Sequence, residues 1–386
     1  MPRHRIVWGN GSLADYIDGG GHWTVRIQYL LGLKDLGHDV FLLALLWSTG
    51  NPKIDEERIR SFFERLEEYG LKENSAILLF NKDSKEQHLE SASAYGKSLQ
   101  KIKEIIQSAD CLWNDCCHIR QPLLGLFERR VLLDLDPGHL QVSALTVEMD
   151  IFEHDTFLSV GKNLNSADCE VPKLGVNWNT FTPFIYLPLW QVNPDPGKDA
   201  PFSSVTHWTW AELWYRERVL SISKRDAYLK YIELPKLSGR SFQLAANIHP
   251  KDETGDRELL ISHGWELIDP WDVARSPNRY RDYISSSRAE IMCPKPIFRE
   301  LNTGWISDRS VCYLASGRPV LAEDTCFSSY IPTGRGLLTF KNMQEAVEGV
   351  REIDCNYKAH MNAARELAEE FFDSKKCLNS MLEVCG

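Results

Sequence analysis

Short apolar runs alternate with stretches in which apolar side chains recur every three or four positions, and this alternation repeats along the 386-residue chain. Brief apolar runs bounded by turn residues read as buried strands, and the three-to-four spacing reads as helices with one core-facing stripe. Arg5 to Trp8 is a first strand, and the loop Gly9 to Gly21 after it ends Asp18-Gly19-Gly20-Gly21-His22. A helix follows from Trp23 to Leu36; Gly37-His38-Asp39 closes it, and Val40 to Leu45 is the next strand. Strand, glycine loop, helix, strand is the unit of a doubly wound parallel sheet, with the loop facing the carboxyl edge of the strands. Three consecutive glycines predict close approach of a ligand in preference to a bare turn.

The same reading continues along the first half. Ile54 to Tyr69 and Leu99 to Ser108 are helices, and Ser75 to Phe80 and Cys111 to Asn114 are strands. Thr156 to Val160 is the last strand of this half, and Lys82 to Ser98 is a polar loop. The run Val131-Leu132-Leu133-Asp134-Leu135-Asp136-Pro137-Gly138-His139 carries an apolar strand into a turn, projecting Asp136 and His139 where α/β sheets bind ligands. The alternative is that Asp136 only caps the turn.

Asn193 to Pro201 holds three prolines and a glycine and divides the chain. The expected organisation is a first α/β domain over 1–192, a linker over 193–201 and a second α/β domain over 202–365. A final helix over 366–386 is expected to return to the first domain. In the second half Ser203 to His207, Phe242 to Ala246, Trp265 to Ile268, Ala289 to Met292 and Val320 to Ala322 are strands. Trp208-Thr209-Trp210 and Asn247-Ile248-His249-Pro250 follow two of them. Lys224 to Glu233 is helical, as is Tyr357 to Val384 with a break near Asp373. Two such halves predict a cleft between the carboxyl edges of two sheets.

One stretch, Lys295 to Asp324, concentrates the chemistry. Ser307 or Asp308 is a good N-cap, Val311, Leu314 and Ala315 form a stripe, and Gly317 with Pro319 ends the helix. Lys295, Arg299 and Gly304 precede the helix start, and Glu323 and Asp324 follow the next strand. Unpaired N–H groups, a helix dipole and cations make an anion site, here read as one for a nucleotide diphosphate. The competing reading is an ordinary capped helix beside a solvated basic face.

Composition narrows the classes. Hydrophobic residues at 43% and charged residues at 25% are those of a globular protein, and a net charge of −10 disfavours a nucleic-acid partner. The opening residues lack a signal-peptide core, and the longest apolar run, Val40 to Trp47, is far short of a membrane span, so a cytoplasmic protein is expected. The ten cysteines contain no CxxC pair and read as free thiols, with no metal site.

Several of these segments resemble a known family. Gly20-Gly21-His22 with Gln28 to Leu33, Leu36 to Val40 and Asp134 to Gly138 carry the likeness in the first half. Gly304-Trp305-Ile306-Ser307-Asp308-Arg309-Ser310, Cys312 to Val320 and Gly334 to Leu338 carry it in the second. Together they resemble the two-domain GT-B glycosyltransferases, in particular a bacterial family-1 or spore-maturation-type group. The resemblance implies an α/β fold of two Rossmann-like domains, a nucleotide-sugar donor on the second domain and an acceptor hydroxyl on the first. It implies no cofactor and no metal.

On that likeness Lys295, Arg299 and Ser307, Asp308, Arg309 and Ser310 would take the phosphates, and Glu300 or Asp308 the ribose. Gly20, Gly21, His207, Trp208, Asn247, Gly304, Trp305 and Asp324 complete the expected donor contacts. His22 is the expected base, with Asp136 and Asp18 as rivals. Many retaining members carry two glutamates eight positions apart; here Glu300 and Asp308 keep the offset, but Cys312 stands where the second is usual. An epimerase or phosphorylase of the same fold, or a non-catalytic nucleotide binder, stays open. The donor's base and sugar, the acceptor and the stereochemical course are not fixed by these residues.

Overall fold

The computed structural model describes residues 2–249 and 254–385, so Pro250 of the Asn247 to Pro250 segment, Met1 and Gly386 lie outside the described residues. In the first lobe the strands are β1 (Arg5–Asn10), β2 (Asp39–Trp47), β3 (Ser75–Phe80), β4 (Ser93–Tyr95), β5 (Cys111–Asp115), β6 (Arg130–Asp134), β7 (Thr156–Ser159) and β8 (Trp178–Thr180). They lie in the order β4-β3-β2-β1-β5-β6-β7-β8. All neighbours are parallel except the edge strand β4, which runs against β3.

The second lobe contains β9 (Phe202–Thr206), β10 (Glu212–Tyr215), β11 (Arg218–Ser221), β12 (Phe242–Ala246), β13 (Trp265–Ile268), β14 (Ala289–Met292), β15 (Val320–Glu323) and β16 (Leu337–Phe340). Its parallel sheet runs β13-β12-β9-β14-β15-β16, and β10 and β11 form a separate antiparallel hairpin. Each sheet starts at its centre, winds outward, then returns to the other side. That creates a switch point between β1 and β5 and another between β9 and β14, where a crevice opens beyond the strand ends.

The apolar runs become strands because both faces are covered: every residue of β2 from Val40 to Leu46 is buried. Trp8, Trp23, Trp113 and Trp208 are core residues. The expected strands of four or more residues form within a residue or two of their anticipated ends, as do the long helices Pro52–Glu67 and Leu99–Gln107. The first helix, Gly20–Asp35, begins three residues before the expected Trp23 and takes in the last two glycines of the loop. The final helical region breaks where expected, into Tyr357–Phe371 and Ser374–Cys385.

Four differences have physical causes. β7 is followed by β8, and the polar stretch Lys82 to Ser98 contains β4; three-residue strands are too short to show a period. The helix at Lys224 stops at Leu229, with a second short helix over Leu234–Ser238. β16 follows Gly334 and Gly336, and its four residues carry no alternation of their own. The hairpin β10–β11 is a strand pair whose inner residues Tyr215 and Leu220 pack into a core cluster drawn from both lobes. Arg218 donates to Glu170 at 2.8 Å and the Tyr215 hydroxyl to the Glu170 carbonyl at 3.0 Å, so an insertion of the second lobe is fastened to the first.

The proline-rich linker is pinned. Arg318, nearly fully buried, donates to the carbonyls of Asn193, Pro194 and Ser285. Arg288 is equally buried and pairs with Asp195 at 2.9 Å and Asp354 at 3.1 Å. The last helix, Ser374–Cys385, lies on the first lobe against Gly20–Asp35: a Cβ at Gly32 would meet Leu378 at 2.5 Å, and Lys375 pairs with Asp35 at 3.1 Å.

Candidate functional site

Between the lobes lie two adjoining chambers of about 470 and 570 Å³ that share Ser12, His22, Val205, Thr206, His207, Trp210 and Arg309. The first is walled by the glycine loop on one side and by Asn247, Pro270, Trp271, Ala274 and Tyr280 on the other. The second reaches from Arg26, His118, Asp136 and His139 of the first lobe to Lys224, Lys295, Trp305, Ser307 and Asp308 of the second.

The helix Asp308–Ala315 opens onto the second chamber at its amino end. Ser307 is its N-cap and accepts from the Arg309 N–H at 3.2 Å. Three cations of the second lobe line the same space, Lys224, Lys295 and Arg309, and Arg26 of the first lobe faces them. Arg309 is fixed by Glu290 and by the Val205 carbonyl at 2.7 Å, while its Nη2 is buried without a partner. Lys224 donates to the Cys293 carbonyl at 3.0 Å. Burial and the neighbouring Arg309 and Lys295 push its ammonium down to about 7. Burial drives the Asp308 carboxyl up to about 6 against the pull of Arg26. Arg309 is paired with Glu290 and Lys295 with Asp136, yet the cluster still crowds positive charge around Lys224, and an incoming polyanion relieves that crowding.

His22 sits in a closed ring of hydrogen bonds. Arg26 Nη1 lies 2.9 Å from His22 Nδ1, and a guanidinium can only donate, so Nδ1 accepts and the proton resides on Nε2. Nε2 then donates to Ser12 Oγ at 2.7 Å, which in turn donates to Asn10 Oδ1 at 3.3 Å. Asn10 Nδ2 donates to Asp115 at 2.7 Å, and Arg26 Nε donates to the same carboxylate at 2.8 Å, closing the ring. Burial and Arg26 hold His22 well below the usual imidazole range, so it is neutral with both nitrogens engaged. Burial would raise Asp115, but Arg26 and His118 outweigh it and keep the carboxylate ionised.

Asp136 faces the second chamber. Its Oδ2 takes Lys295 Nζ and His139 Nδ1, the latter at 3.0 Å, and its Oδ1 is buried without a partner. Burial alone would raise this carboxyl; Lys295 and His139 hold it at about 2. Asp18 lies on the rim of the first chamber, 3.7 Å from Arg275.

Of the residues expected from sequence, Asp18, Gly20, Gly21, His22, Asp136, His207, Asn247, Lys295, Trp305, Ser307, Asp308 and Arg309 line the two chambers. Six lie elsewhere. Trp208 is buried, with Nε1 on Asp256 at 2.9 Å. Arg299 and Glu300 turn to a separate recess with Lys230 and Glu323, because the short helix Pro296–Glu300 gives its Phe298 side to the cleft. Ser310 is fully buried. Asp324 accepts from the Ser328 hydroxyl at 2.7 Å and steadies a turn. Gly304 has φ of +69° and abuts Asn163 of the first lobe, so it serves lobe contact.

The glycine loop has a similar explanation. A Cβ at Gly20 would lie 2.3 Å from the Ser276 carbonyl oxygen and 2.5 Å from that of Ala274. What approaches this backbone is the other lobe, where a ligand had been anticipated. Asn10, Ser12, Arg26, Asp115, His118 and Lys224 were not singled out from sequence as site residues. Only the strand-end positions of Asn10 and Asp115 could have marked them.

No family model matches the chain, and no curated protein matches it. Solved structures do. An alpha-glucosyltransferase in complex with UDP and a 13-mer DNA containing a central A:G mismatch aligns over 100% of both chains, with a TM-score of 0.63 and 11% identity. Alr3699/HepE of Anabaena, in complex with UDP and glucose, aligns over 99% of both chains, with a TM-score of 0.60 and 13% identity. The fold is GT-B. A glycosyltransferase from Rickettsia africae ESF-5 adds a third such likeness, at a TM-score of 0.56 and 12% identity over 100% of this chain and 98% of that one. The two lobes of this GT-B chain therefore meet across one cleft, and the two chambers are its interior. Among the described residues no helix is long and apolar enough to cross a membrane, and no three His, Cys, Asp or Glu side chains gather as a metal site.

Proposed function

We propose that this protein is a glycosyltransferase moving a sugar from a nucleoside-diphosphate sugar to an acceptor hydroxyl. The observation that carries the reading is the amino end of Asp308–Ala315, open to the cleft and ringed by Lys224, Lys295 and Arg309. As the sugar–phosphate bond breaks, charge accumulates on the leaving diphosphate, and fixed cations with helix N–H groups lower that barrier. These cations supply positive charge at the leaving group from the chain itself, so the reaction proceeds without an added metal and without a cofactor.

The first chamber suits the nucleobase, with Trp271 and Tyr280 offering flat apolar walls. UDP in the solved structures of like fold makes UDP the first probe. In this reading residues 202–365 hold the donor, residues 1–192 receive the acceptor across the linker 193–201, and 366–386 return to the first lobe. Asp136 is the best placed acceptor-side group, because it lines the second chamber and its Oδ1 has no partner, while His22 is fully engaged. The net charge of −10 favours an acceptor other than nucleic acid, although solved structures of like fold include complexes with DNA. A cytoplasmic setting accords with ten free thiols. Kinship with the spore-maturation-type group rests on the sequence segments alone.

The test is direct binding. UDP at a hundredfold excess over its dissociation constant should stabilise the protein by about 2.7 kcal/mol, read as a raised melting temperature that persists in EDTA. Absence of a shift with every nucleoside diphosphate would sink the assignment.

A further inference from the structure

Lys295 has two claims on it. It stands beside Lys224 and Arg309 on the second chamber, and its ammonium reaches across the cleft to Asp136 of the first lobe. Both side chains are about one-quarter exposed or less, so bulk water does little to screen the pair. On Asp136 the load is uneven: Oδ2 carries Lys295 and His139, and Oδ1 is buried with no partner. A buried carboxylate oxygen without a donor is costly unless a ligand group completes it. A hydroxyl entering the second chamber from the first-lobe side is the group that would do so.

We infer that Lys295 is a shared residue, held by Asp136 in the free protein and handed to the donor diphosphate on binding. The hand-over frees Asp136, still oriented by His139, to accept a hydrogen bond from the acceptor hydroxyl. The inference rests on the donor-site reading and adds an order of events to it. A diphosphate bears more charge than one carboxylate and brings oxygens to the three cations together, so it outcompetes Asp136 for the ammonium. Until it arrives, the Lys295–Asp136 bridge spans the space where donor and acceptor must meet. Lys295 thereby couples the two half-sites, and His139 is the positioning residue that keeps the released carboxylate aimed.

The experiment is a double-mutant cycle on UDP binding, read by titration calorimetry on the full chain, and it requires no acceptor. Asp136→Asn removes the competitor and should tighten UDP by about five- to tenfold. Lys295→Met should weaken it by about tenfold or more. In the Lys295→Met background, Asp136→Asn should change nothing. Asp136→Ser repeats the measurement should the asparagine variant fold poorly. Unchanged or weakened UDP binding in Asp136→Asn would overturn the hand-over, as would equal tightening with and without Lys295, which signals only a general field. Failure of the wild-type protein to bind UDP would overturn the donor-site reading, and the hand-over with it; this outcome is distinct, because a failed hand-over leaves wild-type UDP binding intact.

Discussion

Lys224 shows how far a single side chain can depart from its ordinary chemistry. Burial and two neighbouring cations push its ammonium down to about 7, so near neutral pH it is about half charged in the free protein. A bound diphosphate stabilises the charged form, so binding takes up a proton. The sign follows: the ammonium is half charged at about pH 7 and deprotonates above it, so UDP affinity should fall as pH rises from about 7 to about 9, by up to tenfold per unit. Calorimetry in two buffers of different ionisation enthalpy checks it, and Lys224→Met should abolish the slope. His22 illustrates the opposite case. It is the base expected from the sequence, which needs a free nitrogen, but Arg26 occupies one nitrogen and Ser12 the other. A histidine at a helix start is visible in sequence; its tautomer depends on Arg26 and Ser12, which are held in turn by Asp115 and Asn10 from two other segments.

At the scale of elements, the helices do two kinds of work. Asp308–Ala315 presents polar residues at its start and buries Val311, Leu314 and Ala315. Its limits were legible because an N-cap and a C-terminal glycine are local features; Gly317 adopts φ of +70° as the stop requires. Ser374–Cys385 is different, since its value lies in where it docks. Leu378 is fully buried against the Gly20–Asp35 helix. Leu378→Ala should therefore cost about 2–5 kcal/mol in denaturant unfolding, despite its place near the chain end. The hairpin β10–β11 was not legible. Its four-residue strands include the exposed Trp214 and Val219 directly opposite one another, and the inner residues Tyr215 and Leu220 find their core only among distant segments of both lobes.

For the whole molecule, the seam between lobes is what makes two sheets into one site. Lobe contact is set by Gly20 against Ala274 and Ser276, by Gly304 against Asn163, and by the Lys295–Asp136 pair. Gly20→Ala would place a methyl group inside the van der Waals envelope of two carbonyls, forcing the lobes apart. Because both lobes line both chambers, UDP affinity should drop by about tenfold or more, and small-angle scattering should show a larger radius of gyration. Unchanged binding and radius would mean that the seam yields elsewhere. The linker, read from composition as a spacer, is instead clamped by Arg288 and Arg318. Arginine at position 318 is plain in sequence, but its partners in the linker, the carbonyls of Asn193 and Pro194, are more than a hundred residues away.

What the sequence determined by itself were the features that short-range physics encodes: buried parallel strands as apolar runs, helix ends as caps and glycines, and two doubly wound halves with polar residues at strand ends. The tertiary structure decided which of those polar residues meet. It turned Arg299, Glu300 and Asp324 away from the cleft and brought in Lys224 and Arg26, the latter held from behind by Asp115, and it assigned the glycine loop to lobe contact. The reason is that caps and periods depend on neighbours a few residues apart, whereas a charge constellation across a cleft depends on how two separately wound sheets are set against each other.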